Sequence, residues 1–418
     1  MNESFSGKAV VIGLGYIGLP TAVVLATRGI DVVGVDVNPD VVKAVSRGEA
    51  TLVEPDLAVA VSGAVAMGRL TASLQTPEAD AYIIAVPTPF NADHTADLSY
   101  IRAAAEEIAP HLRAGAVVVL ESTSPPGTTL QLSHWLAELR PDLHLPHAVE
   151  GVADISIAHC PERVLPGRIM IEMVTNDRVV GGITRRCAEH AASLYRVFCQ
   201  GEIVLSDAAS AEMAKLVENA SRDVDIAFAN ELSLICDDLK LDVWEVIKMA
   251  NRHPRVSILN PGPGVGGHCI AVDPWFIVGA SPGFARLIRT AREVNDSKPA
   301  HVAQQIIGRC DRFRSPVIAC LGLSFKANVD DTRESPAVEV VEQLAQALPE
   351  VRILVAEPYV DALPPKLARF RNLEFVRATD AIEQADIVAL LVDHDQFRTL
   401  NRNWLSGKVV YDTRGVWR

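Results

Sequence analysis

The sequence lacks the cysteine pattern of a disulfide-stabilised or zinc-binding protein. It contains seven cysteines, an odd number, and none of them forms a Cys-x-x-Cys motif. Such a set is unsuited to a disulfide framework or a zinc site and is typical of proteins in a reducing compartment. We therefore expect a cytoplasmic protein without a metal site, in which most cysteines are small buried hydrophobic residues.

An excess of basic residues is also absent. The chain has 39 lysines and arginines against 52 aspartates and glutamates, which gives a formal net charge of −13. In such a chain, a surface for nucleic acid or an anionic membrane would need a local cluster of basic residues. We expect neither kind of partner, although a small anionic ligand can still bind in a locally positive pocket.

The chain has no long uninterrupted hydrophobic segment. The stretch 9–27 carries no charged residue, but three glycines and a proline interrupt it. Its pattern indicates a strand followed by a helix, and we expect neither a signal peptide nor a membrane span there.

Short apolar strands alternate with helical patterns at both ends of the chain. With 418 residues, the chain is long enough for two or three domains. The predicted strands are KAVVIGLG, DVVGVD, AYIIAVP and AVVVLES in the first part, and SPVIACLGL, VRILVAEP, ADIVALLVDH and GKVVYDTRG in the last third. This alternation predicts two α/β domains with parallel sheets covered on both faces. Between them, residues 206–249 predict a long helix, which we expect to be a dimer surface.

The first chemical motif is GLGYIG, which follows one predicted strand and opens a helix. In this context Gly13 allows a tight turn, Gly15 lets the backbone approach a pyrophosphate, and Gly18 permits close helix–strand packing. Asp36, at the end of the next strand, would bind the adenosine ribose and repel a 2′-phosphate, so we predict NAD rather than NADP. The alternative is a glycine-rich turn without a ligand. The expected cofactor contacts of this motif are Gly13, Gly15, Tyr16, Ile17, Gly18 and Asp36.

Two further loops follow predicted strands in the same half of the chain. VPTP contains Pro87 and Thr88, and EST runs from Glu121 to Thr123. Ligands of doubly wound sheets bind outside the carboxyl ends of the strands, so we expect Pro87, Thr88 and Thr123 to face the cofactor. The alternative is ordinary loop chemistry.

The stretch PGPGVGGHCIAVDP places Cys269 after a run of glycines and prolines. Gly266 and Gly267 remove side chains just before the thiol, so that a substrate could approach it. Asp273 and Pro274 look like an N-cap and a first helical residue, which would place Cys269 near a helix N-terminus and lower the pKa of its thiol. A buried thiol and a purely capping aspartate are the alternatives.

Lys215 and Asn219 lie four residues apart in the predicted long helix and share one face of it. A lysine beside an amide can stabilise a developing oxyanion, while a solvated helix face is the alternative for Lys215. His268 is not assigned as a base, because adjacent side chains usually point apart. A nicotinamide site and a thiol together predict oxidation of an alcohol to an aldehyde, thiolate addition, a second hydride loss and hydrolysis of the thioester.

These motifs carry a resemblance over nearly the full chain. Through GLGYIG, VPTP, ESTSPPG, CPERVLPG, AEMAKLVEN, GGHC and FKANVDDTRESPA, it resembles the UDP-glucose/GDP-mannose dehydrogenase family. The resemblance implies two Rossmann-like, doubly wound parallel-sheet domains joined by a long central helix. It implies that residues 1–205 bind NAD, that 206–300 dimerise and carry the cysteine loop, and that 301–418 bind the UDP-sugar. The enzyme would be an NAD-dependent UDP-sugar 6-dehydrogenase that uses two NAD per sugar.

The resemblance also implies roles for single residues. Cys269 would be the nucleophile, and Lys215, Asn219, Asp273 and Thr123 would handle the oxyanion and the catalytic water. Glu162 would be the catalytic glutamate near the sugar. The implied substrate-binding residues are Glu162, Arg163, Lys215, Asn219, Arg252, Arg255, Gly266, Lys326, Arg333 and Arg414. One of Arg252 and Arg255 would reach the sugar or nucleotide, from its own or the partner subunit.

Two stretches depart from the glucose-specific members of that family. Pro166 stands where many of them have a second glutamate, and IAVD follows Cys269 in place of their xPKD. PERVLPG and PGPGVGGHCIAVDPWFIV most resemble members that oxidise UDP-N-acetyl-D-mannosamine to UDP-N-acetyl-D-mannosaminuronic acid for surface polysaccharides. UDP-N-acetyl-D-glucosamine, which differs only at C2, is the alternative substrate.

Two other functions stay open. One is a nucleotide-sugar-binding protein without turnover, against which the intact Cys269, Lys215, Asn219 and Asp273 argue. The other is a two-electron dehydrogenase that stops at an aldehyde or ketone, which counting NADH per sugar would distinguish.

Overall fold

The computed structural model describes residues 5–52, 54–91, 93–165, 167–267 and 269–418. Pro166 and His268 lie outside the described residues. The chain divides into two compact units, Met1–Glu218 and Asn219–Arg418. Each unit is built around one sheet.

The sheet of the first unit has eight strands in the described residues. They are β1 (Lys8–Ile12), β2 (Asp31–Val35), β3 (Leu70–Ser73), β4 (Ala81–Ile84), β5 (Val117–Leu120), β6 (Ser156–His159), β7 (Arg178–Gly182) and β8 (Ile203–Asp207). Their order is β3-β2-β1-β4-β5-β6-β7-β8. Neighbours are parallel except β6 and β7, which are antiparallel.

Helices cover both faces of this sheet. They are α1 (Gly18–Thr27), α2 (Pro39–Ser46), α3 (Leu57–Ala66), α4 (Ser99–Ile108), α5 (Thr128–Leu139), α6 (Ile169–Thr175) and α7 (Arg185–Tyr195). One apolar cluster joins β1, α1 and α3, and a second joins β4, α4 and α5. The uncharged stretch 9–27 therefore forms a strand and a helix, as predicted. Among the helices of the described ranges, none has the length and apolarity to cross a membrane.

A 32-residue helix, α8 (Ala208–Leu239), contains the boundary between the two units. It ends before Lys240, whose φ of +58° breaks the helical path. Asp242 then caps the next helix, because its side chain accepts hydrogen bonds from the amides of Trp244 and Glu245. The long central helix was predicted, whereas this break was not.

The second unit has a five-stranded parallel sheet. Its strands are β9 (Val317–Leu321), β10 (Arg352–Ala356), β11 (Leu373–Phe375), β12 (Ile387–Leu390) and β13 (Val409–Asp412), in the order β11-β10-β9-β12-β13. Its helices are α9 (Val243–Ala250), α10 (Asp273–Ala280), α11 (Arg286–Cys310), α12 (Pro336–Ala347), α13 (Pro365–Ala368), α14 (Ala378–Gln384) and α15 (Asp395–Arg398). The predicted fold of two α/β parallel-sheet domains with a long central helix is confirmed.

Candidate active site

The glycine turn after β1 has a shape that only glycine permits at two of its positions. Gly13 has a φ of +91°, and a Cβ there would lie 2.6 Å from the carbonyl oxygen of Ala85. A Cβ on Gly18 would overlap the carbonyl oxygen of Gly13. These contacts bring β1, α1 and the end of β4 together at the carboxyl edge of the sheet.

The same turn presents an open backbone and a carboxylate. A Cβ on Gly15 would have no heavy atom within 4 Å, so the backbone here can be approached closely. Asp36 directly follows β2, and its carboxylate accepts hydrogen bonds from the amides of Leu14 at 2.9 Å and Asn38 at 2.8 Å. Tyr16 is 44% exposed, and Ile17 precedes the first turn of α1. This arrangement fits the pyrophosphate and ribose of a dinucleotide.

The loops after β4 and β5 lie beside this turn. The Ser122 hydroxyl donates to the carbonyl oxygen of Val86 at 2.7 Å, which ties the two loops together. Pro87 is exposed, while Thr88 and Thr123 are half-buried. The structure therefore brings the predicted cofactor residues of the first unit to one edge of its sheet.

Glu162, which follows β6, lies in a nearly closed environment with an exposed fraction of 8%. Its carboxylate accepts hydrogen bonds from the backbone amide of Arg163 and from the Arg178 guanidinium, each at 2.7 Å. The Arg163 side chain pairs with Glu218 at 2.6 Å. Sequence reasoning missed Arg178, because it opens β7, a strand that our pattern analysis did not predict.

The turn that carries Cys269 leads into α10. Cys269 is exposed, and its carbonyl oxygen accepts hydrogen bonds from the amides of Val272 at 3.0 Å and Asp273 at 2.9 Å. The N-cap is Val272, so the prediction that Asp273 is the capping residue is wrong. Asp273 is the first helical residue, and its buried carboxylate accepts a hydrogen bond from the Asn219 amide at 2.5 Å.

The glycines before Cys269 allow close packing. A Cβ on Gly266 would lie 2.6 Å from Cδ of Pro336, and one on Gly267 would lie 2.9 Å from Cε2 of Phe325. Protein atoms occupy the space that a side chain at either position would need. Their missing side chains let the cysteine loop rest against the segment 325–336.

Lys215 and Asn219 lie on α8 one turn apart, and both are half-buried. Residues four apart in a helix leave it on the same side. The pairing of Asn219 with Asp273 therefore shows which side of α8 these residues use. Lys215 belongs to the same face of α8, four residues before Asn219.

The expected nucleotide-binding residues of the last third differ in their surroundings. Lys326 and Arg333 are exposed, and Arg333 pairs with Asp331 at 2.8 Å. Arg414 is half-buried, and Nε of its guanidinium donates to Asp393 at 2.9 Å. A Cβ on Gly262 would collide with the Arg414 guanidinium, so this arginine lies against the start of the cysteine loop.

The other two arginines expected to bind substrate, Arg252 and Arg255, lie in an exposed segment between α9 and the cysteine loop. No residue of that segment is buried over positions 251–257. The structure thus brings Arg414 to the cysteine loop and leaves both of these arginines on the surface.

A buried histidine and glutamate in the second unit were missed. Glu357 follows β10 and accepts hydrogen bonds from the amides of Leu323 at 2.7 Å and Ser324 at 3.0 Å. The amide of Asn328 donates to Nδ1 of His394, so the ring proton sits on Nε2 and donates to Glu357 at 3.0 Å. Burial alone would raise the pKa of Glu357, but these hydrogen bonds outweigh it and lower that pKa. The position of Glu357 after a strand, like that of Asp36, could have revealed it.

No cluster of three or more histidine, cysteine, aspartate or glutamate side chains in the described ranges is arranged to hold a metal ion. The chemistry that the described residues offer is that of a dinucleotide turn, an exposed thiol and amide–carboxylate pairs.

Three models of one protein family match nearly the whole chain. They are the NAD binding domain, the central domain and the UDP binding domain of the UDP-glucose/GDP-mannose dehydrogenase family, which match residues 7–199, 209–297 and 319–418. These matches cover the glycine turn, the cysteine loop and the second sheet, respectively.

Curated relatives and solved structures agree with the family. The chain is 57% identical over 407 residues to the NDP-N-acetyl-D-galactosaminuronic acid dehydrogenase of Ralstonia nicotianae, with 97% of this chain and 95% of that one covered. It is 54% identical over 416 residues to the UDP-N-acetyl-D-mannosamine dehydrogenase of Escherichia coli, with 98% of each chain covered. A solved structure of the UDP-D-ManNAc dehydrogenase from Pyrococcus horikoshii has a TM-score of 0.87 and 36% identity, covering 98% of this chain and 96% of that one. The chain therefore belongs to the UDP-glucose/GDP-mannose dehydrogenase family and is an NAD-dependent UDP-sugar dehydrogenase.

Proposed function

We propose that this enzyme oxidises UDP-N-acetyl-D-mannosamine at C6 to UDP-N-acetyl-D-mannosaminuronic acid, in two steps, through a thioester on Cys269. The observation that carries the proposal is the exposed Cys269, which lies one turn before Asp273 and its hydrogen-bonded partner Asn219. In an NAD-dependent dehydrogenase, such a thiol has little purpose in a single alcohol oxidation. It is required when an aldehyde must be held and oxidised again.

The residues of the chain divide the chemistry between them. NAD, when bound, accepts one hydride in each of the two oxidations. The Cys269 thiolate adds to the aldehyde carbon and forms a hemithioacetal, which becomes a thioester when the second hydride leaves. Water then breaks the carbon–sulfur bond, which releases the acid and restores the thiol. Lys215 and Asn219 stabilise the oxyanions of addition and hydrolysis, and Asp273 and Thr123 orient the water.

The family's domain descriptions support a division of labour along the chain. We propose that residues 1–205 bind NAD, that 206–300 supply the nucleophile and its partners, and that 301–418 bind the UDP moiety. Arg414 supports the last assignment, because it brings a positive charge against the cysteine loop. The uronic acid product suits a role in surface polysaccharide synthesis, with the reaction taking place in the cytoplasm.

A second substrate is favoured by a specific observation. The relative that is 57% identical is named for N-acetyl-D-galactosaminuronic acid, so a galacto-configured UDP-sugar is a candidate beside the manno-configured one. The gluco-configured UDP-N-acetyl-D-glucosamine is the third, because it differs from the manno compound only at C2.

The deciding experiment measures NADH formed per sugar consumed, with the manno, galacto and gluco UDP-N-acetylhexosamines in parallel. Two NADH per sugar with the manno compound alone supports the full proposal. Two NADH with another of the three keeps the mechanism and overturns the substrate. One NADH overturns the four-electron reaction, and none with all three favours a binding protein without turnover.

Replacing Cys269 with serine tests the thioester. A serine hydroxyl is hardly ionised at neutral pH, so acid production should fall by about a thousandfold or more. Cys199→Ser is the matched control, since Cys199 is a half-buried thiol that donates to the carbonyl oxygen of Asn176 in the first unit. Normal acid formation by the Cys269 variant would overturn the thioester route.

We also propose that the enzyme is a homodimer formed through α8. This helix exposes large apolar side chains that a monomer would leave in water: Met213, Val217, Phe228, Ile235 and Leu239, with exposed fractions of 37% to 59%. Light scattering at working concentration should give twice the 45.1 kDa mass of the chain. A monomer would contradict the proposal, and Phe228→Asp should weaken the dimer if this surface forms it.

A further inference from the structure

A buried cluster of charged side chains lies beneath the loops after β5 and β6. Arg178 is 3% exposed, and it binds Glu162 at 2.7 Å and approaches Glu121 to 3.9 Å. Its guanidinium carbon lies 4.9 Å and 5.0 Å from the ring centres of Tyr195 and Phe198. These aromatic rings keep water away while they stabilise the cation.

Glu121 is held by neutral donors on two helices. It accepts hydrogen bonds from the Thr21 hydroxyl of α1 at 2.9 Å and the Tyr195 hydroxyl of α7 at 3.3 Å. Its exposed fraction is 2%. The sequence predicted that this loop faces the cofactor, but the Glu121 side chain points into the cluster instead.

The cluster has two carboxylates for one guanidinium. If both were ionised, a net negative charge would be buried, which is costly without a second cation. Glu162 is directly bonded to Arg178, whereas Glu121 stands farther away, so the guanidinium stabilises the charge of Glu162 more. Burial, reinforced by the charge of Glu162, raises the pKa of Glu121 to about 7.

The neighbouring titratable groups do not change this balance. Burial raises the pKa of Cys160 to about 12 and that of Tyr195 well above its ordinary value, so both stay neutral at working pH. In the part of the chain that the structure describes, Arg178 is the cation that pairs with Glu121 and Glu162.

We propose that Arg178 is a positioning residue for the oxidation, which holds Glu162 ionised and in place while Glu121 carries the proton of the pair. The proposal rests on the proposed role of Glu162 near the sugar. An ionised Glu162 can accept a hydrogen bond or a proton from the sugar or the catalytic water, whereas a protonated one cannot accept that proton. Because Glu121 opens the loop that contains Thr123, the cluster anchors two loops of the site together.

The test compares the pH dependence of kcat for the wild type, Arg178→Lys and Arg178→Met, all with the best sugar. Without the guanidinium, a negative charge on Glu162 would be buried with no cation bonded to it. The Met variant should therefore lose about tenfold or more in kcat at pH 7 and recover as the pH rises by one or two units. The Lys variant keeps the charge and should recover most of that loss. Thermal unfolding and NAD binding, followed by protein fluorescence, report whether each variant folds.

A double variant separates positioning from a structural role. If Arg178 acts through Glu162, Glu162→Gln/Arg178→Met should be no slower than Glu162→Gln alone. The proposal would be overturned if the losses of kcat in the two single variants multiplied in the double variant. It would also be overturned if the pH profile of kcat in Arg178→Met kept the wild-type shape. The proposed function would still stand in that case, provided that the wild type forms two NADH per sugar.

An infrared measurement keeps the proposal testable without turnover. The wild type at pH 6 should show a protonated-carboxyl band that disappears as the pH rises through about 7, the pKa expected for Glu121. Glu121→Gln should lack this band. Persistence of the same titrating band in Glu121→Gln would show that another group holds the proton and would overturn the assignment.

Discussion

The two sheets repeat one design. The order β3-β2-β1-β4-β5 of the first unit matches β11-β10-β9-β12-β13 of the second. Gly13 and Gly322 follow the central strands with φ values of +91° and +97°. Each donates its amide to the last residue of the neighbouring strand, Val35 at 2.7 Å and Ala356 at 2.8 Å.

An acidic residue directly follows each of the neighbouring strands β2 and β10, and the two acids have different surroundings. Asp36 is half-buried, and its carboxylate accepts hydrogen bonds from two backbone amides. The side chain of Glu357 is fully buried, and it also binds the His394 ring. The same turn geometry therefore leaves the Asp36 carboxylate partly exposed in the first unit. In the second unit, the buried Glu357 carboxylate holds Leu323, Ser324 and His394 together.

The largest effect that would sharpen this comparison is expected for Glu357→Gln. An amide cannot accept all of the hydrogen bonds that the carboxylate accepts, so at least one buried donor loses its partner. We expect a loss of about 1–3 kcal/mol in the free energy of unfolding, seen as a lower unfolding temperature. Asp361→Asn, at an exposed position, is the control. A fall in NAD affinity in Glu357→Gln would contradict the conclusion that Glu357 acts on stability and not on the cofactor.

The matched change in the first unit, Asp36→Asn, should act on the cofactor instead. Loss of the charge removes a strong acceptor for the ribose and the repulsion of a 2′-phosphate. NAD affinity should fall about tenfold, and discrimination against NADP should weaken by a similar factor. Titrations with both cofactors give the ratio, and an unchanged ratio would mean that the ribose lies elsewhere. Thermal stability should change less than in Glu357→Gln.

A smaller effect concerns Glu121, a third acid that follows a strand. Its raised pKa of about 7 means that the folded protein binds this proton more tightly than the unfolded chain. The resulting stability is present below the ordinary carboxyl pKa and is lost as the pH rises through about 7. Glu121→Gln should remove roughly 1 kcal/mol of this pH dependence between pH 6 and 7. Thermal unfolding at several pH values measures this dependence. An equal change of stability with pH in the wild type and in Glu121→Gln would contradict the raised pKa of Glu121.

Local patterns accounted for much of the fold. Strands such as β1 and β12 are runs of buried apolar residues, and α8 is a long stretch without proline or glycine, so both could be predicted from short windows. The strands β3, β6, β7, β8 and β11 were missed. Residues of β8 are half-exposed or exposed, and β7 begins with a buried arginine, so neither has the continuous apolar run of a central strand.

The candidate site divides in the same way. Gly13, Gly15 and Asp36 could be proposed from the sequence, because a dinucleotide-binding turn requires these residue types at fixed spacings. Arg178 and His394 were not found, because their importance depends on partners 16 and 37 residues away in sequence. A buried cation or imidazole can be recognised only when its carboxylate is known.

By itself, the sequence determined the two α/β halves, the long helix, the dinucleotide turn and the unusual setting of Cys269, because each depends on residues close together in the chain. The tertiary structure alone decided that Asp273 serves Asn219 and that the glycines before Cys269 serve packing. It also decided that Asp36 and Glu357, which each follow a strand, differ in burial. The physical reason is that burial and hydrogen bonding set what a carboxylate can do, and both are properties of neighbours brought together by the fold.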